Sequence, residues 1–185
     1  LTEVEDVYRP FKQKKKTRAS VAVERGLQPL ADMILAQDKS VDIRAEAEKF
    51  IDEEKGVATA DDAIAGAKDI IAEIVSDNAE VRKKLRNLFM RNGVVETKLV
   101  DKEKEGAATY EMYADYSESV AEIKSHRILA VNRGEKEGFL KVKISFNEEI
   151  AKRVCAVAYL KDGGYSTQLV KEASDDGYDR LIQPS

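Results

Sequence analysis

The sequence predicts a mainly α-helical protein: a multi-helix bundle with helix-turn-helix-like spacing near the N-terminus and one or two short β-strands in its second half. The chain of 185 residues is rich in Ala, Glu and Lys and has only 3 prolines, a composition that favours helices. Its apolar residues recur at three- and four-residue spacing through the first half. Only Phe139 to Phe146 alternates cleanly like a half-buried strand.

The first three helices are marked by their ends. We expect a helix over Thr2 to Arg9 that ends at Pro10, because proline disfavours the α conformation of the residue before it. The second helix is capped by the Thr17 hydroxyl and ends at Gly26. Pro29 lies in the first turn of the third helix, where a missing N–H does no harm. The turn at Gly26 gives this pair its helix-turn-helix-like spacing.

Three more helices complete the first half. Thr59 followed by Asp62 resembles a capping box that opens one of them. Asp77 and Glu80 repeat this signal before the next helix, which ends at Gly93. Each of the three helices has one apolar stripe. In chain order the stripes are Ile43, Ala47, Phe50 and Ile51; Ile64, Ala67, Ile71 and Ile74; and Val81, Leu85, Leu88 and Phe89. The first half is therefore about five or six packed helices.

The second half is less regular. The β-branched run Val94 to Val100 is a strand or an irregular connector. It is one candidate partner for the strand at 139–146, the other being a strand outside this chain. Between them, Ala107 to Tyr116 carries tyrosines at helix-compatible spacing, and Ser125 is expected to cap a helix that ends at Gly134. Two helices, 148–160 and 166–182, close the chain.

The sequence organisation suggests an N-terminal helical lobe, 1–93, and a second lobe, 94–185, or one continuous unit. The chain begins with Leu1 inside a predicted helix and stops abruptly, so we expect a fragment of a longer protein or, as an alternative, a processed chain. The single cysteine, Cys155, excludes an intrachain disulfide and fits a reducing cytosol. With no signal peptide and no membrane-length apolar run, we expect a cytoplasmic protein.

Searches for enzymatic chemistry give no candidate. The sequence has no phosphate-binding GxxxxGK[ST] loop, no GxGxxG and no GxSxG. The lone His126 has no cysteine nearby for a zinc site, and we expect its ring to pack near a helix start. The carboxylates at 42–54 and 61–73 are interleaved with the polar faces of helices, so they read as solvated surface. We expect no enzyme, no metal and no cofactor.

Basic residues give the better candidates, although the net charge is −4. A dense cluster with Tyr8 and Phe11 beside it has the composition that phosphates and unstacked bases require: Arg9, Lys12, Lys14, Lys15, Lys16 and Arg18. The alternative is a solvated linker or a set of salt-bridge partners for acidic helices. A second cluster, Arg82, Lys83, Lys84, Arg86 and Arg91, reads as an ordinary polar face.

The segment Ser125 to Gly138 places basic residues around an apolar centre. Because Ile128, Leu129 and Ala130 imply a buried or interface helix, we expect the flanking arginines to hold the fold rather than a ligand. The residues of this predicted structural joint are Ser125, His126, Arg127, Arg133 and Gly134.

Several segments follow one another in a specific order: YRPFKQKKKTRASVAVERGLQPLA, DDAIAGAKDIIAE, VRKKLRNLFMRNGVVETK, YSES, SHRILAVNRGEKEGFLKV and DRLIQPS. In this order the chain resembles the bacterial family of transcriptional accessory proteins known as Tex. The resemblance covers almost the whole chain. It implies part of an N-terminal helical region and the stretch before an RNase H-like domain.

The resemblance also implies a function in transcription. Members of the family carry helix-hairpin-helix elements and a C-terminal RNA-binding domain beyond the region that this chain resembles. The implied partners are therefore nucleic acid, RNA or DNA, bound mainly through domains outside this chain, and the transcription machinery, with no membrane. No catalytic residue of the family falls on this sequence. The expected role is a non-catalytic helical scaffold or, alternatively, a protein-interaction module.

Overall fold

The computed structural model describes residues 2–12, 16–162 and 164–185. Most of the chain in these ranges is helical, which confirms the mainly α-helical prediction. The helices are α1 Thr2–Tyr8, α2 Arg18–Glu24, α3 Gln28–Ala36, α4 Ile43–Glu48, α5 Ala60–Asp77, α6 Ala79–Asn92, α7 Ser125–Lys136, α8 Glu148–Val157 and α9 Tyr165–Gly177. The strands are β1 Val94–Leu99, β2 Asp115–Ser119 and β3 Leu140–Ser145. Two 3₁₀ segments, Arg9–Phe11 and Ala107–Tyr113, and a π-helical turn, Tyr178–Ile182, accompany them.

The chain forms two compact units. The helical unit comprises Leu1–Lys84 and Glu149–Ser185, and the sheet unit comprises Leu85–Glu148. This division differs from the lobes expected at 1–93 and 94–185, because the last two helices belong with the first five. Leu169, Val170 and Ala173 of α9 are buried, and α9 packs against α5. Because α5 and α9 are far apart in the sequence, no local sequence pattern predicts that they pack together.

Helix α5 is the centre of the helical unit. Thr59 caps it as expected: the hydroxyl accepts a hydrogen bond from the Asp62 N–H at 3.1 Å, and the Asp62 carboxylate accepts one from the Thr59 N–H at 3.0 Å. The buried side of α5 includes Ala67 and Ile71, and α2, α3, α4 and α9 all pack on this helix. An amphipathic helix contacted on so much of its surface holds the other helices in place.

The predicted helix pair near the N-terminus is present. The Thr17 hydroxyl accepts a hydrogen bond from the Ser20 N–H at 3.0 Å and caps α2. Gly26 follows α2 with a φ of 81°, the left-handed conformation expected after a helix end. Pro29 lies in the first turn of α3, as expected. Leu27, just before α3, is completely buried, so the turn is held by the core.

The sheet unit contains an antiparallel sheet with strand order β2-β1-β3. Val94 pairs with Ser145, and Leu99 pairs with Leu140. The segment at 94–100 is therefore a strand and the partner of β3, which decides between the two alternatives left open by the sequence. Tyr113, Val131 and Leu140 belong to the small core that covers one face of the sheet.

Strand β2 was not expected. The spacing of Tyr110, Tyr113 and Tyr116 suggested one helix, but only the first two tyrosines lie in a 3₁₀ segment. Tyr116 lies in β2, opposite Thr97 of β1. Tyrosines at three-residue spacing serve both a 3₁₀ turn and the start of a strand, and the strand forms because β1 offers an edge to pair with. The sheet thus has a third strand beyond the one or two predicted.

Three predicted helix ends are shifted. Asp77 is the last residue of α5, and the N-cap of α6 is Asn78, whose Oδ1 accepts a hydrogen bond from the Val81 N–H at 3.1 Å. Helix α7 follows Lys124 as its N-cap and continues through Gly134 to Lys136. The Ser125 cap and the Gly134 stop were therefore wrong. Gly134 serves close packing inside the helix, and the left-handed glycine after α7 is Gly138, with a φ of 72°.

Candidate nucleic-acid interface

The basic cluster predicted near the N-terminus surrounds the start of α2. Arg9 lies in the first 3₁₀ segment, and Lys12 follows that segment and is exposed. Lys16 and Arg18 flank the Thr17 cap and are exposed too. Lys14 and Lys15 lie outside the described residues.

Among the described cations of this cluster, Arg9 and Lys16 have carboxylate partners. The Nε of Arg9 lies 3.4 Å from the Oδ1 of Asp77, and the Nζ of Lys16 lies 3.7 Å from the Oε2 of Glu24. The side chains of Lys16 and Glu24 are largely exposed, so this pair is weak and does not prevent Lys16 from meeting another anion. The Asp77 side chain is only 13% exposed, so the Arg9 pair anchors the 3₁₀ segment on the end of α5. The salt-bridge alternative therefore describes Arg9 better than Lys16.

The positive charge of Arg18 acts on another carboxylate of α5, that of Asp69. Burial raises the pKa of the Asp69 carboxyl, and the positive charges of Arg180 and Arg18 oppose that rise. An Arg180 Nη2 lies 3.2 Å from the Asp69 Oδ1. Arg180 is therefore the direct partner of Asp69, and Arg18 acts on it only through its field while its own side chain stays exposed.

The second helix of the helix-turn-helix-like pair has one residue of the kind that a recognition helix uses, Gln28, and its Nε2 donates a hydrogen bond to the Asp32 Oδ1 at 2.9 Å. A helix that reads the major groove presents Arg, Lys, Asn or Gln to the bases. Helix α3 has the sequence QPLADMILA, with no lysine or arginine, and buries Leu30 and Ile34 completely. The spacing therefore reflects packing on α5 rather than sequence-specific reading of DNA.

The predicted structural joint is divided between two sides of α7. The Nη1 of Arg127 lies 2.8 Å from the Glu118 Oε1 of β2. Gly134 is buried, and a Cβ added there would lie 2.6 Å from the Leu140 Cδ1 and 2.9 Å from the Tyr110 Cδ1. Both residues thus sit where α7 meets the rest of the sheet unit.

The other joint residues lie on the open side of the same helix. Ser125 and His126 are exposed, and the Arg133 side chain is 75% exposed beside Glu137, at 3.3 Å. Ile128 and Leu129, which suggested a buried or interface helix, are 41% and 69% exposed. This face of α7 is therefore not covered by other described residues of the sheet unit.

Within 2–12, 16–162 and 164–185, no three His, Cys, Asp or Glu side chains are grouped to hold a metal ion. Burial raises the pKa of the Cys155 thiol to about 11, so the sulfur stays protonated and is a poor nucleophile at neutral pH. The carboxylate of Asp42 caps α4 by accepting the Arg44 N–H at 3.0 Å. No helix in these ranges is both long and apolar enough to cross a bilayer.

One charged residue has a different place from the one its sequence suggested. Arg82 was grouped with the polar face of α6, but only 9% of it is exposed. Its Nε donates a hydrogen bond to the Ser76 carbonyl oxygen, and its Nη1 donates one to the Ser185 hydroxyl at 3.2 Å. The only local signal for the burial of Arg82 is its position next to the buried Val81. The amphipathic pattern of the helix does not show whether a residue at that position is buried or lies at the boundary of the polar face.

Comparison with known proteins relates the chain to a family. The model of the family described as "Tex central region-like" matches residues 38–173. The chain is 43% identical to the protein YdcI of Bacillus subtilis over 100% of its own length and 26% of the relative. It is 35% identical to "Protein tex" of Bordetella pertussis over 80% of the chain and 18% of the relative. A more distant relative, the human "S1 RNA-binding domain-containing protein 1", is 27% identical over 83% of the chain and 16% of that protein.

The chain thus spans about a quarter or less of the length of these relatives. The match to the family model covers most of the chain, from α4 to α9, and includes the whole sheet unit. The chain belongs to the Tex central region-like family, as its sequence resemblance implied.

Proposed function

We propose that this chain is a non-catalytic helical scaffold within a transcription-associated accessory protein that binds nucleic acid. The observation that carries this proposal is the position of α5, on whose surface α2, α3, α4 and α9 all pack. The carboxylates of its first turn, Asp61 and Asp62, are exposed at the helix N-terminus rather than gathered in a cleft. Such an arrangement supports a role in rigid packing.

The names of the relatives support the transcriptional part of this proposal. One relative is the "Transcriptional accessory protein Tex" of Neisseria gonorrhoeae, 34% identical over 80% of this chain. The human relative is named for an RNA-binding domain. Because the chain spans so little of these proteins, we assign the main contact with RNA or DNA, and with the transcription machinery, to their other parts.

We assign to this chain a weak electrostatic contact with nucleic acid. Its residues are Arg9, Lys12, Lys14, Lys15, Lys16 and Arg18. Among them, Lys12, Lys16 and Arg18 are exposed and lie near the start of α2. Lysine and arginine in this density bind phosphates without reading sequence.

Charge reversal tests this contact. We would measure the binding of a labelled single-stranded RNA to the 185-residue chain by fluorescence anisotropy at low salt. Changing Lys12, Lys16 and Arg18 to glutamate should weaken binding at least about tenfold, because several phosphate contacts are lost together. The matched control changes Lys98, Lys141 and Lys143, exposed residues of the sheet, to glutamate. This control variant should keep most of the affinity for RNA. Equal losses in both variants would contradict the assignment.

The non-catalytic part has its own test. The chain should turn over no phosphodiester or ester substrate with or without added divalent metal. Turnover that copurifies with the chain, whether or not it depends on added metal, would contradict the proposal.

A second candidate function is a protein-interaction module that docks other domains or the transcription machinery without touching nucleic acid. It is favoured by the exposed Ile128 and Leu129 on α7, because adjacent exposed apolar side chains are common at contact surfaces. The absence of any RNA or DNA binding at low salt would favour this candidate over the first.

A further inference from the structure

Strand β3 has an open edge. It is an outer strand in the order β2-β1-β3 and is bonded to β1 along one side. Among the described elements, β1 and α7 are the two that pack closely on β3. Helix α7 covers a face of the sheet, where Val131 and Leu140 belong to the small core, so it leaves the second edge of β3 open. An open edge can accept a further strand.

The hydrogen bonds of the ladder show which backbone groups face this edge. The Val100 N–H donates to the Phe139 carbonyl oxygen at 2.9 Å, and this pair continues the register of β1 and β3. Because bonded and non-bonded pairs alternate in an antiparallel ladder, every second residue counted from Phe139 bonds to β1, and the residues between them direct their N–H and C=O groups outward. These residues are Leu140, Val142 and Ile144. In the described part of the chain their outward groups have no bonding partner.

The side chains of β3 differ between its two faces. Leu140 and Val142 pack in the small core on the α7 side, whereas Ile144 on the same face is 58% exposed. Lys141 and Lys143 lie on the opposite face and are exposed. The open edge is thus apolar on one face and basic on the other.

The two lysines of the edge keep their charges available. Among the described residues, neither Lys141 nor Lys143 has an ion-pair partner. Across the ladder Lys98 lies opposite Lys141, and Glu96 lies opposite Lys143. Asp115, opposite Lys98, is one strand further away. A strand added at the open edge therefore meets two ammonium groups before it meets any carboxylate of the sheet.

The same lysines disfavour a second copy of β3 on this edge. Antiparallel pairing of two β3 strands about a two-fold axis places Lys141 opposite Lys143 of the second copy, or one of the two lysines opposite itself. Like charges directly opposite each other destabilise a ladder, and edge lysines are a common protection against self-pairing. The edge therefore favours a strand that carries carboxylates.

We propose that the open edge of β3 binds an extended segment of a partner protein in which acidic and apolar side chains alternate. The apolar residues of the segment bond to the outward backbone groups and cover Ile144. The acidic residues lie directly opposite Lys141 and Lys143, in the more closely spaced pairs of the new ladder. This surface is separate from the basic cluster and from the exposed side of α7, and it does not depend on the nucleic-acid contact.

The test uses a synthetic peptide of about six residues that alternates valine and glutamate and carries one tryptophan at its end. Because the chain contains no tryptophan, the peptide emission reports binding to the 185-residue protein directly. A peptide that alternates valine and lysine is the charge control. We expect saturable binding of the valine–glutamate peptide below about 1 mM and at least about tenfold weaker binding of the valine–lysine peptide.

Two methylated peptides test whether the segment is added as a strand. Methyl groups on the valine nitrogens remove the N–H groups that face β3, whereas methyl groups on the glutamate nitrogens remove those that face away. The first peptide should lose at least about tenfold in affinity, and the second should stay within about threefold of the parent. Equal affinities of the two would mean that charge alone holds the peptide, and would overturn the proposal.

Charge reversal locates the binding. The variant with Lys141→Glu and Lys143→Glu should bind the valine–glutamate peptide at least about tenfold more weakly and should now prefer the valine–lysine peptide. The control is Lys49→Glu with Lys55→Glu, two lysines of the helical unit with side chains 66% and 58% exposed. It should change the affinity less than about twofold.

Hydrogen exchange followed by NMR locates the binding in the unchanged protein, so the test does not depend on the folding of a variant. Saturating valine–glutamate peptide should slow exchange of the Val142 and Ile144 N–H groups at least about fivefold, because they face the edge. The Lys141 and Lys143 N–H groups, already bonded to β1, should change less than about twofold.

The proposal is overturned if the valine–glutamate peptide does not bind up to about 1 mM, or if the valine–lysine peptide binds as tightly. It is also overturned if the charge-reversed edge binds as well as its control, or if the outward N–H groups gain no protection. Displacement of the bound peptide by single-stranded RNA would assign the edge to nucleic acid, and its displacement by self-association of the chain would assign it to a second copy; either result would overturn the proposal.

Discussion

The Nη1 of Arg127 lies 2.8 Å from the Oε1 and 2.9 Å from the Oε2 of Glu118 and so connects α7 to β2. The Glu118 carboxylate also accepts a hydrogen bond from the Tyr116 hydroxyl. Its side chain is only 18% exposed, so the pair is less screened by solvent than most ion pairs of this chain. Because the ion pair joins a helix to a strand of the sheet, it fixes the position of α7 on the sheet.

Arg127→Ala should therefore destabilise the sheet unit. We expect a loss of about 1–2 kcal/mol in the free energy of unfolding, because a charge-assisted contact is removed and Glu118 keeps a partly buried charge. Arg133→Ala on the exposed side of α7 should cost less than about 0.5 kcal/mol. Urea denaturation followed by circular dichroism measures both. A loss at Arg133 as large as the one at Arg127 would contradict the different roles given to the two arginines.

Gly134→Ala should also destabilise the sheet unit, although alanine is the better helix former. The added Cβ would lie within 3 Å of Leu140 and Tyr110 side-chain atoms, and both residues are buried. Overpacking costs about 1–3 kcal/mol, against a gain of about 1 kcal/mol in helix propensity. We expect a net loss of about 1 kcal/mol. The control is Asn132→Ala on the exposed side of α7, which should lose nothing; a more stable Gly134→Ala protein would refute the close packing.

Glutamine at position 37 should stabilise the folded protein more than glycine would at the same position. It ends α3 with a φ of 53°, a conformation that favours glycine. Its Nε2 donates a hydrogen bond to the Tyr159 carbonyl oxygen at 2.7 Å, and its Oε1 accepts the Lys161 N–H at 2.8 Å and the Thr167 hydroxyl at 2.9 Å. These bonds tie the end of α3 to the link between α8 and α9.

Gln37→Gly loses about three neutral hydrogen bonds and regains about 1 kcal/mol of backbone strain, so we expect a net loss of about 2 kcal/mol in the free energy of unfolding. Gln37→Ala should be about 1 kcal/mol worse than Gln37→Gly, because it keeps the strain. Thermal and urea denaturation of the three proteins check this order. If Gln37→Gly were as stable as the parent chain, the hydrogen bonds would contribute nothing.

The pH dependence of stability should include Cys155. Burial raises the pKa of its thiol from 9.0 to about 11. Between these values the unfolded chain loses its thiol proton while the folded chain keeps it, so stability is complete below pH 9 and falls as the pH rises towards 11. The fall between pH 8 and pH 10 should be about 1 kcal/mol smaller in Cys155→Ser, which does not titrate. Equal falls in both proteins would mean that the thiol has an ordinary pKa.

Local signals in the sequence predicted local structure well. The Thr17 and Thr59 caps act within three residues, and both were readable because the cap and its partner are close in the chain. The left-handed Gln37 was not readable, because glycine is the usual residue there and the compensating bonds come from residues far along the chain. Strand β2 and the packing of α9 on α5 were missed for the same reason.

The candidate interface divides in the same way. The density of lysines after Tyr8 is visible in the sequence, but the pairing of Arg9 with Asp77 depends on the fold. The carboxylates that face this cluster, Glu24 and Asp77, likewise come from two helices that the fold brings together. Sequence patterns identify charges, and only packing shows which charges face each other.

The central claim, a scaffold with weak electrostatic contact to nucleic acid, is tested most directly by the salt dependence of RNA binding. A labelled single-stranded RNA is titrated with the 185-residue chain at about 50 and 200 mM salt. Because the cluster holds at most six cations, affinity should be micromolar or weaker at low salt and should fall about tenfold to a few hundredfold at the higher salt. Nanomolar binding that persists at the higher salt would contradict the claim, because this chain would then itself be a principal nucleic-acid-binding module.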